Sequence, residues 1–484
     1  MNSFFVKSLV IIILLITGPI IAKNPIGDGY NIKITAKGLK EGARCLLANY
    51  YGDKQYIKDS AFANAKGEVI FKGSEKFPEG IYLFVPPNKK YFDLVMDAGQ
   101  NFSLDTDTSD YVKNMKVKGS TENKFFYDYQ SFIAEKQKLI EPLRNLYKIT
   151  TKTNKDSTKL LIDKMTVIDK EVKDYKQNFI KDNPTTFVAK LFKAMDEIEV
   201  PEAPLLPSGK KDTTFAFRYY KAHFFDNIDF SDDRLLRTPI FHTKIKQYLD
   251  KLTAQIPDSI NVAADYLATK AKANQEVFKY VIYWLTYTYE SSNIMGMDAV
   301  FVHLVDNYYA TKQAFWVDSA QLYKITNRAF ILKPLLLGKK APAINMVDTS
   351  GKNVSLYSIK ANYTVLLFWD HGCGHCKKEV PKVAEIYKKM KEKGVEVLAI
   401  ETEDKPEDWK KFIRENKLNW INVHEPDNYR RAVTKKIYDI YSTPVVYLLD
   451  ENKIIKAKRI DSEQLGDFIN ELEKEKEREK AKKK

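Results

Sequence analysis

Along the chain the pattern of hydrophobic and polar positions changes period twice. From about Tyr30 to Lys118 it runs with period two. "NIKITAKG" alternates Ile32 and Ile34 with polar residues, Lys33 among them, and "GEVIFKG", "GIYLFVPP", "YFDLVMDAGQ" and "NFSLDTD" follow at short spacing, punctuated by Gly, Pro, Asn and Asp. Short alternating runs bounded by turn residues predict strands, so residues 28–118 read as an all-β, sandwich-like domain. From Ser120 to Leu335 apolar residues recur at steps of three and four, as in "NKFFYDYQSFIAEKQKLIEPLRNLYKI", "STKLLIDKMTVIDKEVKDYKQNFI" and "ANQEVFKYVIYWLTYTYESS". That period marks amphipathic helices and predicts a helical domain over 120–335, interrupted by the proline-rich "PEAPLLPSGKKD". From Gly338 strands and helices alternate. "YTVLLFW" and "VEVLAI" read as strands, and "KKEVPKVAEIYKKMKEKG", "KPEDWKKFIRENKL" and "RRAVTKKIYDIY" as helices. "TPVVYLLDENKIIKAKRI" follows as a hairpin and "SEQLGDFINELEKEKE" as a last helix. This grammar predicts a compact α/β domain over 338–475, followed by a charged tail over 476–484.

Composition agrees with this division. A chain of 484 residues with 44% hydrophobic and 13% aromatic residues has material for about three cores. The net charge of +14 is spread through every segment. It forms no basic stripe, so nucleic acid is not an expected partner. The first residues, "MNSFFVKSLVIIILLITGPIIAKN", place Lys7 before an apolar run that is broken by Gly18 and Pro19, with Ala22 as a small residue for cleavage. The run is short for a membrane span, so residues 1–22 read as a signal peptide and the protein as exported, most simply to a periplasm. Left uncleaved, the same segment would act as a tether.

Export gives weight to the cysteines. There are only 3, and two of them stand in "LLFWDHGCGHCKKEVP" as Cys373 and Cys376. Cys45 is isolated and reads as a buried small hydrophobe or a free thiol. A Cys-x-x-Cys pair at the junction of a strand and a helix puts its first sulfur against unpaired backbone N–H groups and the positive end of the helix dipole. That setting lowers a thiol pKa, so Cys373 is the expected nucleophile and Cys376 the resolving thiol one turn on. A zinc site built from His371, Cys373, His375 and Cys376 is disfavoured, because residues so bunched do not easily surround one ion. An inert structural bridge is disfavoured too, since so short a loop constrains little of the unfolded chain. His223, His242 and His303 lie far apart in the helical region and read as structural.

"FWDHGCGHCKKEVP" resembles the active-site segment of thioredoxin-like thiol–disulfide oxidoreductases. The lead-in from Gly338, with Ala341–Pro342, Asp348, Gly351 and Leu356, is similar to that of the exported TlpA-like branch. "YSTPVVYLLDENKII" resembles the segment that bears the family's cis-proline, and the three-part layout resembles multidomain exported members from Bacteroidetes. The resemblance implies a thioredoxin fold for the last domain, in a multidomain chain with an all-β sandwich-like domain first and an α-helical domain between.

The same resemblance implies roles for single residues. Pro444, after Thr443, would be the cis-proline facing the cysteines. Trp369 would be the aromatic residue near the site, or equally a core residue. Glu379 would be a carboxylate managing the proton of Cys376, and Pro381 a helix kink. Leu367 replaces the acid that thioredoxins bury in the preceding strand. Gly374–His375 resembles the dipeptide of protein disulfide isomerases, and a histidine there favours the thiolate and a more oxidising couple. His371 adds to this effect or is a solvated loop residue.

The expected function is reduction of protein disulfides. It needs no cofactor and no metal, and a membrane electron-donor protein would regenerate the dithiol. A disulfide oxidase or isomerase, and a client-binding scaffold with an auxiliary redox module, are the alternatives. Nothing in the sequence sets an oligomeric state.

Overall fold

The computed structural model describes residues 29–151 and 155–482. The expected signal peptide, residues 1–22, lies outside the described residues. Among the described residues no helix is long and apolar enough to cross a membrane.

The first region is two four-stranded sheets. Its strands are β1 (Tyr30–Lys37), β2 (Arg44–Tyr51), β3 (Lys54–Phe62), β4 (Glu68–Gly73), β5 (Gly80–Val85), β6 (Phe92–Met96), β7 (Asn101–Asp107) and β8 (Lys116–Lys118). One sheet has the order β4-β1-β7-β8 and the other β3-β2-β5-β6. The period-two reading of β1 holds in detail: Ile32, Ile34 and Ala36 are fully buried, while Lys33 between the first two is exposed and Thr35 between the last two is half-buried. Phe71 of one sheet meets Phe84 of the other edge-on at 6.3 Å, which joins the two inner faces. The hairpin of β2 and β3 was not among the predicted strands. In β2 the run "RCLLANYY" is nearly continuous in burial and lacks the alternation that marks a half-buried strand.

Among the described residues nine α-helices follow: α1 (Thr121–Thr150), α2 (Lys155–Asp182), α3 (Phe187–Met195), α4 (Phe215–His223), α5 (Pro239–Leu252), α6 (Pro257–Ala271), α7 (Gln275–Glu290), α8 (Asp298–Leu304) and α9 (Ser319–Leu332). Ser120 caps α1, accepting from the backbone N–H of Asn123. The carboxamide of Asn123, fully buried, then accepts from Val95 N–H at 2.8 Å and donates to Val95 C=O at 2.7 Å. It thus pairs the outer edge of β6 as a further strand would. Asn123→Ala leaves both Val95 groups unmet and is expected to cost about 3 kcal/mol. Urea unfolding measures this, and a loss below about 0.5 kcal/mol would show that the edge is satisfied otherwise. His223, His242 and His303 each face a side-chain partner, respectively Asp226, Tyr280 and Asp265.

The chain divides into two compact units. One runs to Ala254 and takes in Thr269–Tyr280, and the other holds Gln255–Ala268 and everything from Val281. The helical stretch is therefore shared, and its last helices belong to the same unit as the C-terminal module.

That module is built from β9 (Asn345–Asp348), β10 (Asn353–Ser355), β11 (Tyr363–Trp369), α10 (Gly374–Met390), β12 (Val395–Glu401), α11 (Pro406–Glu415), β13 (Ile421–His424), α12 (Asn428–Ile437), β14 (Val445–Asp450), β15 (Ile455–Lys458) and α13 (Ser462–Lys482). The sheet order is β10-β9-β13-β12-β11-β14-β15. β11 is parallel to β12 and antiparallel to β14. All seven residues of β11 are buried, as befits a central strand covered on both faces. Tyr363, Val365, Leu367 and Trp369 face one core with Val380 and Val383 of α10 and Leu465 and Ile469 of α13. Leu366 and Phe368 face the other core, with Met346, Tyr438 and Tyr447. This is the thioredoxin-like arrangement, and it sets the end of β11 directly before the first turn of α10. The helix α13 continues through the charged tail to Lys482, with Lys476 over the ring of Tyr363 at 4.4 Å.

Candidate active site

Cys373 is the N-cap of α10, with extended backbone angles (φ −72°, ψ 128°) before the helical turn begins at Gly374. Its thiol donates to the carbonyl of Thr443 at 3.4 Å, across the loop that leads into β14. The Thr443–Pro444 peptide is cis. The sequence therefore brings Cys373, Cys376 and Thr443 together, with Pro444 beside them, although 70 residues separate Cys373 from Thr443.

The two thiols differ in environment. Cys376, in the first turn of α10, is fully buried, whereas Cys373 is partly exposed. Burial pushes the Cys376 thiol up to about 12, and the adjoining Cys373 adds to that rise. Burial also raises Cys373, but it is outweighed there. The backbone N–H groups of Cys376 and His375, together with Thr443 and the Cys376 thiol, hold Cys373 below the ordinary cysteine value. No strict capping hydrogen bond is completed on the sulfur. The N–H groups act as the positive end of the helix, which favours the thiolate by its field. Cys45 is fully buried, its thiol near Ala43 C=O, and burial raises it to about 11.

The other expected residues fall as follows. Trp369 is fully buried in the module's core, 5.2 Å from the ring of Phe412. Leu367 is buried on the same face. Glu379 lies on α10 one turn beyond Cys376, and its carboxylate accepts from Ser462 at 2.6 Å and from Lys382 at 2.9 Å. Those two partners hold it below the usual glutamate range. Pro381 sits inside α10, which runs on past it to Met390. Gly374 and His375 are exposed in the first turn, whereas the His371 side chain is only 10% exposed and faces Glu401 at 3.4 Å.

Glu401 is a residue that the sequence did not single out. It ends β12, in register with Trp369, and its side chain is only 2% exposed. One carboxylate oxygen accepts from Glu403 N–H at 3.2 Å and faces His371, while the other is buried with no hydrogen-bond partner. Burial first, and then the nearby Asp370 carboxylate, raise it to about 8. Asp370, His371 and Glu401 bring donor atoms within 4.8 Å of one another, and among the described residues they are the trio near enough to share a cation. Asp370 also accepts from Gly372 N–H at 2.6 Å, which shapes the turn ahead of Cys373.

Comparison with known proteins places this geometry. Residues 337–458 match the AhpC/TSA family, residues 30–126 a domain of unknown function (DUF4369), and residues 149–333 another (DUF5106). The thiol–disulfide oxidoreductase ResA of Bacillus anthracis is 36% identical over 139 residues, covering 28% of this chain and 78% of ResA. ResA of Bacillus subtilis is 32% identical over 137 residues, covering 28% and 74%. Among solved structures, a domain of a possible thiol-disulfide isomerase from Cytophaga hutchinsonii is 49% identical, covering 30% of this chain and 97% of its own, with a TM-score of 0.28. The thioredoxin domain of a thiol-disulfide oxidoreductase from Bacteroides vulgatus is 32% identical, covering 28% and 96%, with a TM-score of 0.27. With a strand-to-helix dithiol on a thioredoxin-like sheet, and ResA proteins of 32% and 36% identity matched over 74% and 78% of their own length, the chain belongs to the thioredoxin-like (TlpA-like) thiol–disulfide oxidoreductases, the family of ResA.

Proposed function

We propose that the protein reduces disulfide bonds in other proteins outside the cytoplasm through Cys373 and Cys376. What carries the reading is the asymmetry of the pair: one partly exposed thiol whose environment favours the thiolate, and one buried thiol held protonated beside it. The Cys373 thiolate attacks a substrate sulfur. The substrate S–S bond breaks, and one substrate sulfur leaves as a thiolate. Cys376 then gives up its proton and attacks the Cys373 sulfur, which releases the second substrate thiolate and closes the Cys373–Cys376 disulfide. Two electrons pass from the dithiol to the substrate.

Glu379, three residues after Cys376 and kept ionised by Ser462 and Lys382, is the proposed acceptor of the Cys376 proton. Thr443 and Pro444 present the backbone along which an extended substrate lies, while Trp369, Gly374 and His375 tune the couple. A membrane electron-donor protein would restore the dithiol, and neither a metal nor an organic cofactor enters the cycle. The apolar segment at residues 1–22 supports export to a periplasm. An oxidising or isomerising role is the second reading, favoured by the stabilised Cys373 thiolate beside an exposed His375. A reduction potential above that of the glutathione pool would mark it.

The test is capture of clients by Cys376→Ser. This variant is expected to accumulate mixed disulfides that vanish when Cys373→Ser is added. No captured species, together with no reduction of insulin by the wild-type protein, would defeat the proposal.

A further inference from the structure

The loop that supplies Thr443 and Pro444 is not held by the redox module alone. It begins at Asp439, just after α12, where the backbone is left-handed (φ 57°) and the carboxylate only 1% exposed. Two guanidinium groups meet that carboxylate. Arg459, just after β15, donates to Asp439 Oδ2 at 2.5 Å and to its C=O at 3.0 Å, and its own N–H donates to Val446 C=O at 2.7 Å. Arg459 thereby ties both ends of the loop.

The second guanidinium is Arg328, on α9 in the helical stretch. It forms a fork with both Asp439 oxygens, through Nη1 to Oδ1 and through Nη2 to Oδ2 at 3.0 Å. Its charged carbon also lies 5.6 Å from the ring centre of Tyr441, which is 76% exposed, two residues before Thr443. The same unit is closed again at the sheet edge, where Lys458 binds Asp298 of α8 and donates to Leu335 C=O at 2.7 Å.

A buried carboxylate meeting two guanidinium groups fixes its backbone closely, because a bidentate fork has one good geometry. An arginine below an exposed aromatic ring also holds that ring in a preferred orientation. The loop touching the nucleophilic thiol thus takes one of its supports, and the setting of its exposed ring, from a helix outside the thioredoxin-like fold.

We infer that α9 is part of the substrate-holding apparatus. Arg328, acting through Asp439 and Tyr441, positions the loop that receives an extended polypeptide, so that the protein binds protein disulfides in preference to small ones. Arg328 is a positioning residue, and Tyr441 the surface on which a side chain flanking the substrate cysteine packs. The inference rests on the reading of Cys373 as the nucleophile.

It is tested with the full chain, by comparing turnover of insulin with that of 5,5′-dithiobis(2-nitrobenzoate), a small disulfide with no polypeptide flanking its sulfurs. Arg328→Ala is expected to raise KM for insulin about tenfold, with KM for the small disulfide moving less than about threefold and kcat for both nearly constant. Arg328→Lys, which keeps the charge but not the fork, is expected to behave like Arg328→Ala rather than like the wild type. Tyr441→Ala removes an exposed ring and no core packing, and it is expected to shift the same ratio without lowering thermal stability.

An unchanged ratio of KM values in a folded Arg328→Ala protein would overturn the inference, as would a parallel loss with both substrates. If Arg328→Ala does not fold, an unchanged ratio in Tyr441→Ala overturns it. A wild-type protein that turns over neither disulfide would instead overturn the reading of the dithiol, and the inference with it.

Discussion

Replacing Cys373 by serine is expected to lower insulin reduction by a factor on the order of a thousand or more, because a hydroxyl at this position is neither ionised nor a match for a thiolate as nucleophile. The same asymmetry predicts which sulfur reacts with a reagent. At pH 7 a limiting amount of iodoacetamide should modify Cys373 in the reduced protein, since helix N–H groups and Thr443 favour its thiolate and it is partly exposed. Cys376, pushed up to about 12, and Cys45, up to about 11, are buried thiols at that pH. Mass mapping of the adduct reads this directly. Raising the pH should increase the rate of Cys373 labelling only until its thiolate is fully formed, at a pH below that of an ordinary cysteine. An adduct found first on Cys376 would reverse the assignment of nucleophile and resolving thiol. Full activity in Cys373→Ser would remove the dithiol from the reaction.

The dithiol was legible in the sequence because its spacing is its chemistry: a ring closure between two sulfurs needs them one helical turn apart, and a strand-to-helix boundary can be read from β11 and α10 alone. β13 was not legible, because "INVH" is four residues of mixed polarity. It becomes a strand by pairing with β12 on one side and β9 on the other. The histidines separate for a related reason. In sequence His375 is the conspicuous one, yet it is exposed, while His371 is packed against a buried carboxylate supplied by the next strand. Trp369 could be read as core or as site, and it is fully buried in the core. Arg328 and Asp439 stand 111 residues apart, and no local pattern links a helix-surface arginine to one loop aspartate. Glu401 stands one residue beyond the apolar run "VEVLAI", where nothing local marks it. Its meaning depends on Asp370 and His371, which reach it only after β11 and β12 have paired.

Glu401 carries a large expected effect of pH on stability through the neutral range. Its acid is raised from 4.5 to about 8 by burial and by the Asp370 carboxylate, so the folded protein keeps a proton that the unfolded chain releases above about 4.5. The sign follows. The stabilising effect of that bound proton is complete below about pH 4.5 and is lost as the pH rises toward 8, with a slope of at most about 1.4 kcal/mol per pH unit. Above that range the cost is an ionised carboxylate with one unpartnered oxygen, facing Asp370 and offset by the backbone N–H groups of Glu403 and His371 and by the His371 ring. Glu401→Gln keeps the shape and removes the titration. It should match the wild type near pH 5 and exceed it by on the order of 2 kcal/mol at pH 8.5, the comparison being made on urea midpoints read by tryptophan fluorescence. Parallel pH profiles for the two proteins would show that Glu401 is ionised across the range. Its neighbours would then have to supply the compensating charge that the present geometry does not give it.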